Sequence, residues 1–346
     1  MGIAGGLLIL PHFGSFIRWN NNSWGLCGGQ PYLASRFENT TPNSGLAEPR
    51  SADMIALSKG EPMANLGAVV ITGASTGIGE ACALHLDKMG FRVFAGIRKA
   101  TDGESLRQRA SERLTTIRLD ISDETEISHA ARNVIDALGS AGLAGLVNNA
   151  GVVVGGMLEF LPLDELRRQL EVNVIGQIAV TQAFLPYLRK ARGRIVNISS
   201  LSGLLSAPFT GAYSASKFAL EALTDSLRME LRPWKMDVSI VEPGFIQTPI
   251  TSKSLAAAEA LRAQLPAEAL QLYGPAMRAV MEATEREAAK GASTEVVAKA
   301  VAHALSARRP RTRYIVGNHS RFTIGFIRAL PDRWRDGILI RQLGLK

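Results

Sequence analysis

Seven short runs of valine, isoleucine and other apolar residues recur along the chain, at 67–72, 91–97, 114–119, 145–148, 194–198, 238–241 and 313–316. Segments of helix length separate them, among them 80–89, 125–137, 163–188 and 213–231. A β-branched run without polar alternation is a strand covered on both faces, and strands that alternate with helices form parallel crossover units. The pattern therefore predicts an α/β fold, a doubly wound parallel sheet over residues 63–320 of the 346. With 46% hydrophobic and 20% charged residues the chain can bury the core such a sheet needs, which excludes a wholly disordered chain. No window of about 18 residues is continuously apolar and uncharged, which excludes a multi-span membrane protein.

Between the first run and the first helix stands Thr72-Gly73-Ala74-Ser75-Thr76-Gly77-Ile78-Gly79. Glycines at a strand-to-helix turn permit positive φ and let an anionic group approach the backbone, while the free N–H groups of the next helix point at it. The spacing G-x-x-x-G-x-G after the first strand makes Gly73, Ser75, Thr76, Gly77, Ile78 and Gly79 candidates for holding the pyrophosphate of a dinucleotide in a Rossmann-like sheet. At the end of the second strand, where an acid would bind the ribose hydroxyls of NAD, the chain has Ile97-Arg98-Lys99 and no carboxylate. The Arg98 guanidinium is shaped to hold a 2′-phosphate, so NADP is expected in preference to NAD. Asp120, after the third strand, either accepts from the adenine amino group or caps the helix that follows. Asn149, Ala150 and Gly151, in the run Asn148-Asn149-Ala150-Gly151, end the fourth strand beside the same crevice.

Tyr213-Ser214-Ala215-Ser216-Lys217 opens a helix, and residues four apart share one helical face. An unperturbed tyrosine, with a pKa near about 10, is a poor acid–base group at neutral pH. A neighbouring cation lowers that value, so the phenol of Tyr213 and the ammonium of Lys217 form a candidate acid–base pair. Ser200 follows the strand that ends in Asn197-Ile198-Ser199 and lies at a strand's carboxyl end, where its hydroxyl can polarise a carbonyl.

With these residues in order, the chain from 63 to about 316 resembles the single-domain short-chain dehydrogenase/reductases. The matching motifs are T-G-x-x-x-G-x-G at 72–79, the Asp120 position, N-N-A-G at 148–151, Asn173 within Val172-Asn173-Val174, Ser200, Tyr213 with Lys217, and Pro243-Gly244 followed by Thr248. The resemblance implies hydride transfer between NADP or NAD and a secondary alcohol, ketone or aldehyde. It makes Tyr213 the general acid/base, and Lys217 the group that lowers its pKa and holds the nicotinamide ribose. Ser200 then orients the substrate oxygen. It puts Asn173 in a bent helix, where it positions a water that relays protons to Lys217. Pro243, Gly244, Ile246 and Thr248 would flank the nicotinamide. It also implies a homodimer or homotetramer paired through the long helices 163–188 and 213–231. A sugar-nucleotide epimerase or dehydratase shares the Tyr–Lys helix but has a shorter glycine loop and a larger C-terminal domain. A non-catalytic dinucleotide sensor or scaffold would have little need to keep Asn173, Ser200, Tyr213 and Lys217 together.

Residues 249–290 carry Ile250, Leu255, Leu261, Leu265, Leu270, Leu272, Tyr273 and Met277 at helical spacing. They read as a lid over the substrate, or as no more than lid packing. With 203–209 and 152–154 they would line an apolar pocket that lacks a cation to grip a carboxylate or phosphate. A small lipophilic alcohol or carbonyl of steroid, retinoid or aliphatic type fits best.

The whole formal net charge of +8 resides in 307–346, where nine Arg and Lys346 face only Asp332 and Asp336. Charge so far from the crevice does not mark a nucleic-acid enzyme, and no nucleic-acid partner is expected. Residues 321–346 read as a basic amphipathic tail: solvated, an oligomer contact, or a peripheral contact with an anionic membrane, since Arg alternates with Phe322, Phe326 and Trp334. The tail is loosely similar to those of retinol- and steroid-dehydrogenase-like members. Residues 1–62 show no sustained period and read as a disordered extension. The five histidines are scattered without metal-ligand spacing, so no metal is expected. Cys27 and Cys82 do not make a disulfide framework, which points to the cytoplasm, with or without membrane association.

Overall fold

A computed structural model describes residues 66–318 and 321–345, together with two strand segments at 15–20 and 23–28. The chain divides into two units, Met1–Ile55 and Ala56–Lys346. In the first, β1 (Ser15–Asn20) and β2 (Ser23–Gly28) pair antiparallel, with Asn20 opposite Ser23. This hairpin falls inside the stretch read from the sequence as a disordered extension, whose other residues lie outside the described ones.

In the second unit every expected strand is present. They are β3 (Ala68–Ile71), β4 (Arg92–Ile97), β5 (Leu114–Arg118), β6 (Gly145–Asn148), β7 (Arg194–Ile198), β8 (Val238–Pro243) and β9 (Arg313–Val316). All pair in parallel, in the order β5-β4-β3-β6-β7-β8-β9. The helices between them are α1 (Gly77–Met89), α2 (Glu104–Arg109), α3 (Glu124–Leu138), α4 (Leu163–Leu170), α5 (Gly176–Ala191), α6 (Gly211–Glu230), α7 (Pro249–Arg262), α8 (Ala267–Ala289) and α9 (Thr294–Ser306). Two more, α10 (Arg321–Ala329) and α11 (Asp332–Gln342), form the C-terminal segment. Successive strand residues feed opposite faces, as the period of two requires. Val69 and Ile71 pack with Cys82 and Leu86 of α1 and with Val297 and Val301 of α9. Val70, Leu146 and Ile195 pack with Ile127 of α3 and with Val180, Phe184 and Leu188 of α5. Strand order reverses between β3 and β6, so the crevice for a ligand opens at their carboxyl ends.

The helix expected over 163–188 is interrupted. A π-helical turn, Glu171–Ile175, joins α4 to α5. Two local facts explain it. The Asn173 side chain is drawn sideways onto the backbone of Val152, and α5 begins at Gly176, where a Cβ would lie 2.3 Å from the Ile121 carbonyl oxygen. Turns of this kind gather at functional sites. Beneath it a buried polar ladder links the sheet to both long helices: Asn148 Nδ2 donates to Thr181 Oγ1 and Asn197 Oδ1, and Asn197 Nδ2 to Thr224 Oγ1, at 2.8–2.9 Å.

Candidate active site

The glycine turn is stapled from below. The buried Thr72 hydroxyl accepts the N–H groups of Asn149 and Ala150, both at 2.9 Å, and Asn149 Nδ2 donates to the carbonyls of Thr72 and Gly73 at 3.0 Å. Gln177 Nε2 donates to the Ala150 carbonyl. These bonds bring the ends of β3 and β6 so close that a Cβ on Gly73 would lie 2.8 Å from Ala150 Cα, and one on Gly79 would lie 2.2 Å from the Gly73 carbonyl oxygen. Gly73 and Gly77 also have φ of +63° and +62°. Thr76 precedes α1 without a side-chain capping bond, which leaves the first N–H groups of that helix to an external acceptor. An anionic dinucleotide fits such a cradle. Thr248 faces Gly77 from the loop after β8: its Cβ and Cγ2 lie 3.3 Å from where a Gly77 Cβ would stand. Pro243 is buried at the end of β8, the Gly244 N–H donates to the Val316 carbonyl at 2.9 Å, and Ile246 is buried and bridged to Ala292.

At the outer end of the crevice Arg98 is exposed just after β4. Asp120 Oδ1 accepts from the Ser122 amide at 3.0 Å and from its hydroxyl at 2.7 Å. Burial opposes its ionisation, but these bonds and then the charge of Arg98 hold the carboxyl below its ordinary range. The cap of α3 is Asp123, which accepts from Thr125 N and Glu126 N, so Asp120 does not fill that role. β4 is three strands from β7, roughly 14 Å at ordinary sheet spacing, so Arg98 and Ser200 stand at opposite ends of one elongated site.

At the inner end Ser200 follows β7 and its hydroxyl accepts from the Ser202 amide at 3.1 Å. Tyr213 and Lys217 lie one turn apart near the start of α6. Lys217 is buried, its Nζ donates to the Ile198 carbonyl at 2.8 Å, and the same nitrogen lies 5.8 Å from the centre of the Tyr213 ring. Burial pulls the ammonium down to about 8, against the opposing charge of Glu221. Burial pushes the Tyr213 phenol up, and the Ser200 hydroxyl pulls it back. The expected lowering of the phenol by the ammonium does not appear: burial sets the direction, the Lys217 nitrogen is hydrogen-bonded to Ile198, and Ser200 is the group that opposes the rise.

Asn173 reaches the site through its neighbours. Its Oδ1 accepts from Val152 N at 2.9 Å, and its Nδ2 donates to the Val152 carbonyl and to Ser216 Oγ. Ser216 Oγ in turn donates to the Tyr213 carbonyl at 2.7 Å. Gln169, absent from the sequence reading, duplicates this grip by accepting from Val154 N and donating to Val152 O and Ser216 Oγ. Its signal was available: Gln169, Asn173 and Gln177 recur every four residues and all three are buried. Gly151 packs close to Asn173 Oδ1, 3.3 Å from where its Cβ would stand.

Over the start of α6, Leu261 of α7 packs with Val154, Leu161 and Ala212. Tyr273 of α8 donates its hydroxyl to Glu159 Oε2 at 2.6 Å and meets Phe160 and Phe209 edge-on. Leu272, expected on the pocket wall, is instead 60% exposed, because it lies on the opposite side of α8 from the buried Met277. A cleft of about 720 Å³ along α1 runs from Thr76 and Gly77 of the glycine turn past Glu80, His85 and Lys88 to Arg109; Ser200, Tyr213 and Lys217 do not line it.

The short chain dehydrogenase family model matches residues 67–259. Retinol dehydrogenase 5 of Mus musculus is 42% identical over 277 residues, covering 78% of this chain and 87% of that protein. The 17-beta-hydroxysteroid dehydrogenase type 6 of Bos taurus is 38% identical over 279 residues, covering 79% and 88%. Among solved structures, a short chain dehydrogenase/reductase from Burkholderia phymatum in complex with NAD is similar with a TM-score of 0.62 at 27% identity, covering 74% of this chain and 90% of that one. The doubly wound sheet, the stapled glycine turn and the Tyr–Lys helix agree with these matches: the chain belongs to the short-chain dehydrogenase family.

Proposed function

We propose that this protein is an NAD(P)-dependent dehydrogenase that interconverts a lipophilic alcohol and its ketone or aldehyde. One juxtaposition carries the reading: Tyr213 and Lys217 stand one turn apart on α6, with Ser200 from the end of β7 beside the phenol, in the crevice headed by the glycine turn. The names of the relatives, retinol and hydroxysteroid dehydrogenases, and the apolar residues around Leu261 support a lipophilic substrate.

Gly73, Ser75, Thr76, Gly77, Ile78 and Gly79 would hold the pyrophosphate, Asp120, Asn149, Ala150 and Gly151 the adenosine side and the middle of the dinucleotide, and Pro243, Gly244, Ile246 and Thr248 the nicotinamide. When bound, the dinucleotide supplies the hydride acceptor or donor. Tyr213 takes the hydroxyl proton of the alcohol, or returns one to the carbonyl oxygen in reduction. Ser200 donates to the same oxygen and stabilises charge that develops on it. Lys217, 5.8 Å from the ring centre, would supply positive charge beside a phenolate and would hold a ribose hydroxyl of the bound dinucleotide. Asn173 and Gln169 hold the Val152 backbone against Ser216 and so fix the start of α6; a proton relay through water at Asn173 is part of the same proposal. Helices α7 and α8 act as the lid that excludes water from the reacting oxygen.

NADP is the preferred cofactor because Arg98, not an acid, follows the end of β4. Turnover of retinoid, steroid and aliphatic alcohols with NADP and NAD tests both points. Arg98→Ala should weaken NADP by about 10- to 100-fold, the range of a charge-assisted contact, and leave NAD almost unchanged. Tight NADPH binding without turnover of any of the three alcohol classes would instead favour a sensor.

Among the described residues no helix is long and apolar enough to cross a membrane. We place the domain on an anionic membrane surface through α10 and α11. Ile324 anchors α10 to the body, which turns Phe326 outward, and Phe326 and Trp334 are 66% and 70% exposed among arginines. Anionic leaflets face the cytoplasm, consistent with the unpaired, buried Cys82. Ile175, Phe218 and Met229, exposed near or on α5 and α6, support a homodimer or homotetramer. Sedimentation with phosphatidylserine vesicles, with light scattering of the vesicle-free protein, should show salt-sensitive binding and a mass above that of one chain. Equal binding to neutral vesicles would remove the charge-based reading.

A further inference from the structure

Beyond the acid–base pair, α6 carries a second buried charge constellation that reaches β8 and β9. Glu221, one turn after Lys217, accepts at its Oε2 from Arg313 of β9. The same guanidinium donates to Glu242 Oε1 of β8 at 2.7 Å and to both oxygens of Asp225 at 2.8–2.9 Å. The side chains of Glu221 and Glu242 are only 8% and 1% exposed. Their other oxygens, Glu221 Oε1 and Glu242 Oε2, are buried without a hydrogen-bond partner. A carboxylate oxygen is costly to leave so, unless a cation nearby stabilises it through the field alone. Glu221 also packs beneath the Ser200 turn: a Cβ on Gly203 would stand 3.1 Å from both Glu221 Cγ and the Lys217 carbonyl.

The charges in this region balance. Tyr213 and Glu221 face Lys217 from its own helix, and the Ile198 carbonyl from the end of β7. Glu242 from β8, Arg313 from β9 and Arg328 of α10 act on the acids, while Asp225 is also paired with Arg228 on α6. Set aside Asp225 with Arg228, and the exposed Arg328, and the buried set is Lys217 and Arg313 against Glu221 and Glu242, whose carboxyl burial and Glu221 push up. Loss of the Glu221 charge leaves one excess positive charge in a low-dielectric site. Glu242, freed from the Glu221 charge that helps push its carboxyl up, takes part of the imbalance; a guanidinium does not give up a proton and an ammonium does, so the rest falls on Lys217.

We propose that Glu221, held by Arg313 against β8 and β9, is a positioning residue that keeps Lys217 charged beside Tyr213 during the reaction. The proposal rests on the acid–base reading above. It gives Arg313 a purpose besides joining strands: it couples the helix that carries the pair to Glu242, the residue before Pro243-Gly244 on the cofactor side.

The test is the pH dependence of kcat/KM for alcohol oxidation with saturating cofactor. In Glu221→Gln the alkaline limb, where Lys217 loses its proton, should move to lower pH by about half a unit or more, an activity loss of about threefold on that limb. Asp225→Asn removes another Arg313 partner and should leave the limb in place. Glu221→Asp withdraws the same charge by one methylene; it should move the limb in the same direction by less, and it gives the readout if the amide variant does not fold. A loss of stability or of overall rate with the limb unmoved in both Glu221 variants overturns the inference, since a structural brace alone behaves that way. The acid–base reading fails separately: in that case Tyr213→Phe stays active.

Discussion

Tyr213→Phe should lower kcat for alcohol oxidation by about 100- to 10,000-fold, the range that positioned proton transfer contributes, and leave NADPH affinity within about threefold. The phenylalanine keeps the ring that lies 5.8 Å from Lys217 Nζ and removes only the oxygen that Ser200 addresses. Folding should therefore be preserved. In Ser200→Ala the loss should be large too, and the double variant should be little worse than Tyr213→Phe alone, because the two groups act on one substrate oxygen as a unit. Rapid-mixing rates for hydride transfer separate this from slow cofactor release. A Tyr213→Phe rate within tenfold of the parent would mean that another group moves the proton.

The parts of this site that the sequence announces are those set by local rules. The glycine turn is legible because a backbone that must reach positive φ at Gly73 and Gly77, and pass close at Gly79, leaves no room for other residues. The Tyr213–Lys217 pair is legible because helical spacing alone puts both on one face. The strands are legible because burial on both faces leaves runs such as Ala68–Ile71 without a polar residue. What depends on tertiary packing is not legible in this way. Arg313 reaches Glu221 and Glu242 across 92 and 71 residues, and no local period connects them. Asn149 reads as lining for a cofactor, yet its side-chain amide is bound to Thr72 and Gly73. The effect of burial on Tyr213 and Lys217 is likewise invisible in spacing: the same four-residue interval on an exposed helix would leave both near their ordinary values. The π turn at Glu171–Ile175 belongs to the same class, since its cause is the backbone of Val152 in another segment.

Gly79→Ala should abolish measurable NADPH binding at micromolar concentrations and cost about 1–3 kcal/mol of stability, the usual cost of an overpacked methyl. The reason is a contact with backbone. An added Cβ would lie 2.2 Å from the Gly73 carbonyl oxygen and 2.5 Å from Asn149 Nδ2, and neither can retreat without breaking the staple to Thr72. Relief requires the first turn of α1 to move away from the end of β3, which draws the helix's free N–H groups from the anion they would bind. Gly139→Ala separates this effect from a general intolerance of alanine. Gly139 has φ of +58°, so the substitution is strained, but nothing lies within 4 Å of the added methyl. It should lower the melting temperature and leave NADPH affinity unchanged. Calorimetric titration of both variants distinguishes the two, and retention of parental affinity in Gly79→Ala would show that the turn has slack its close contacts do not reveal.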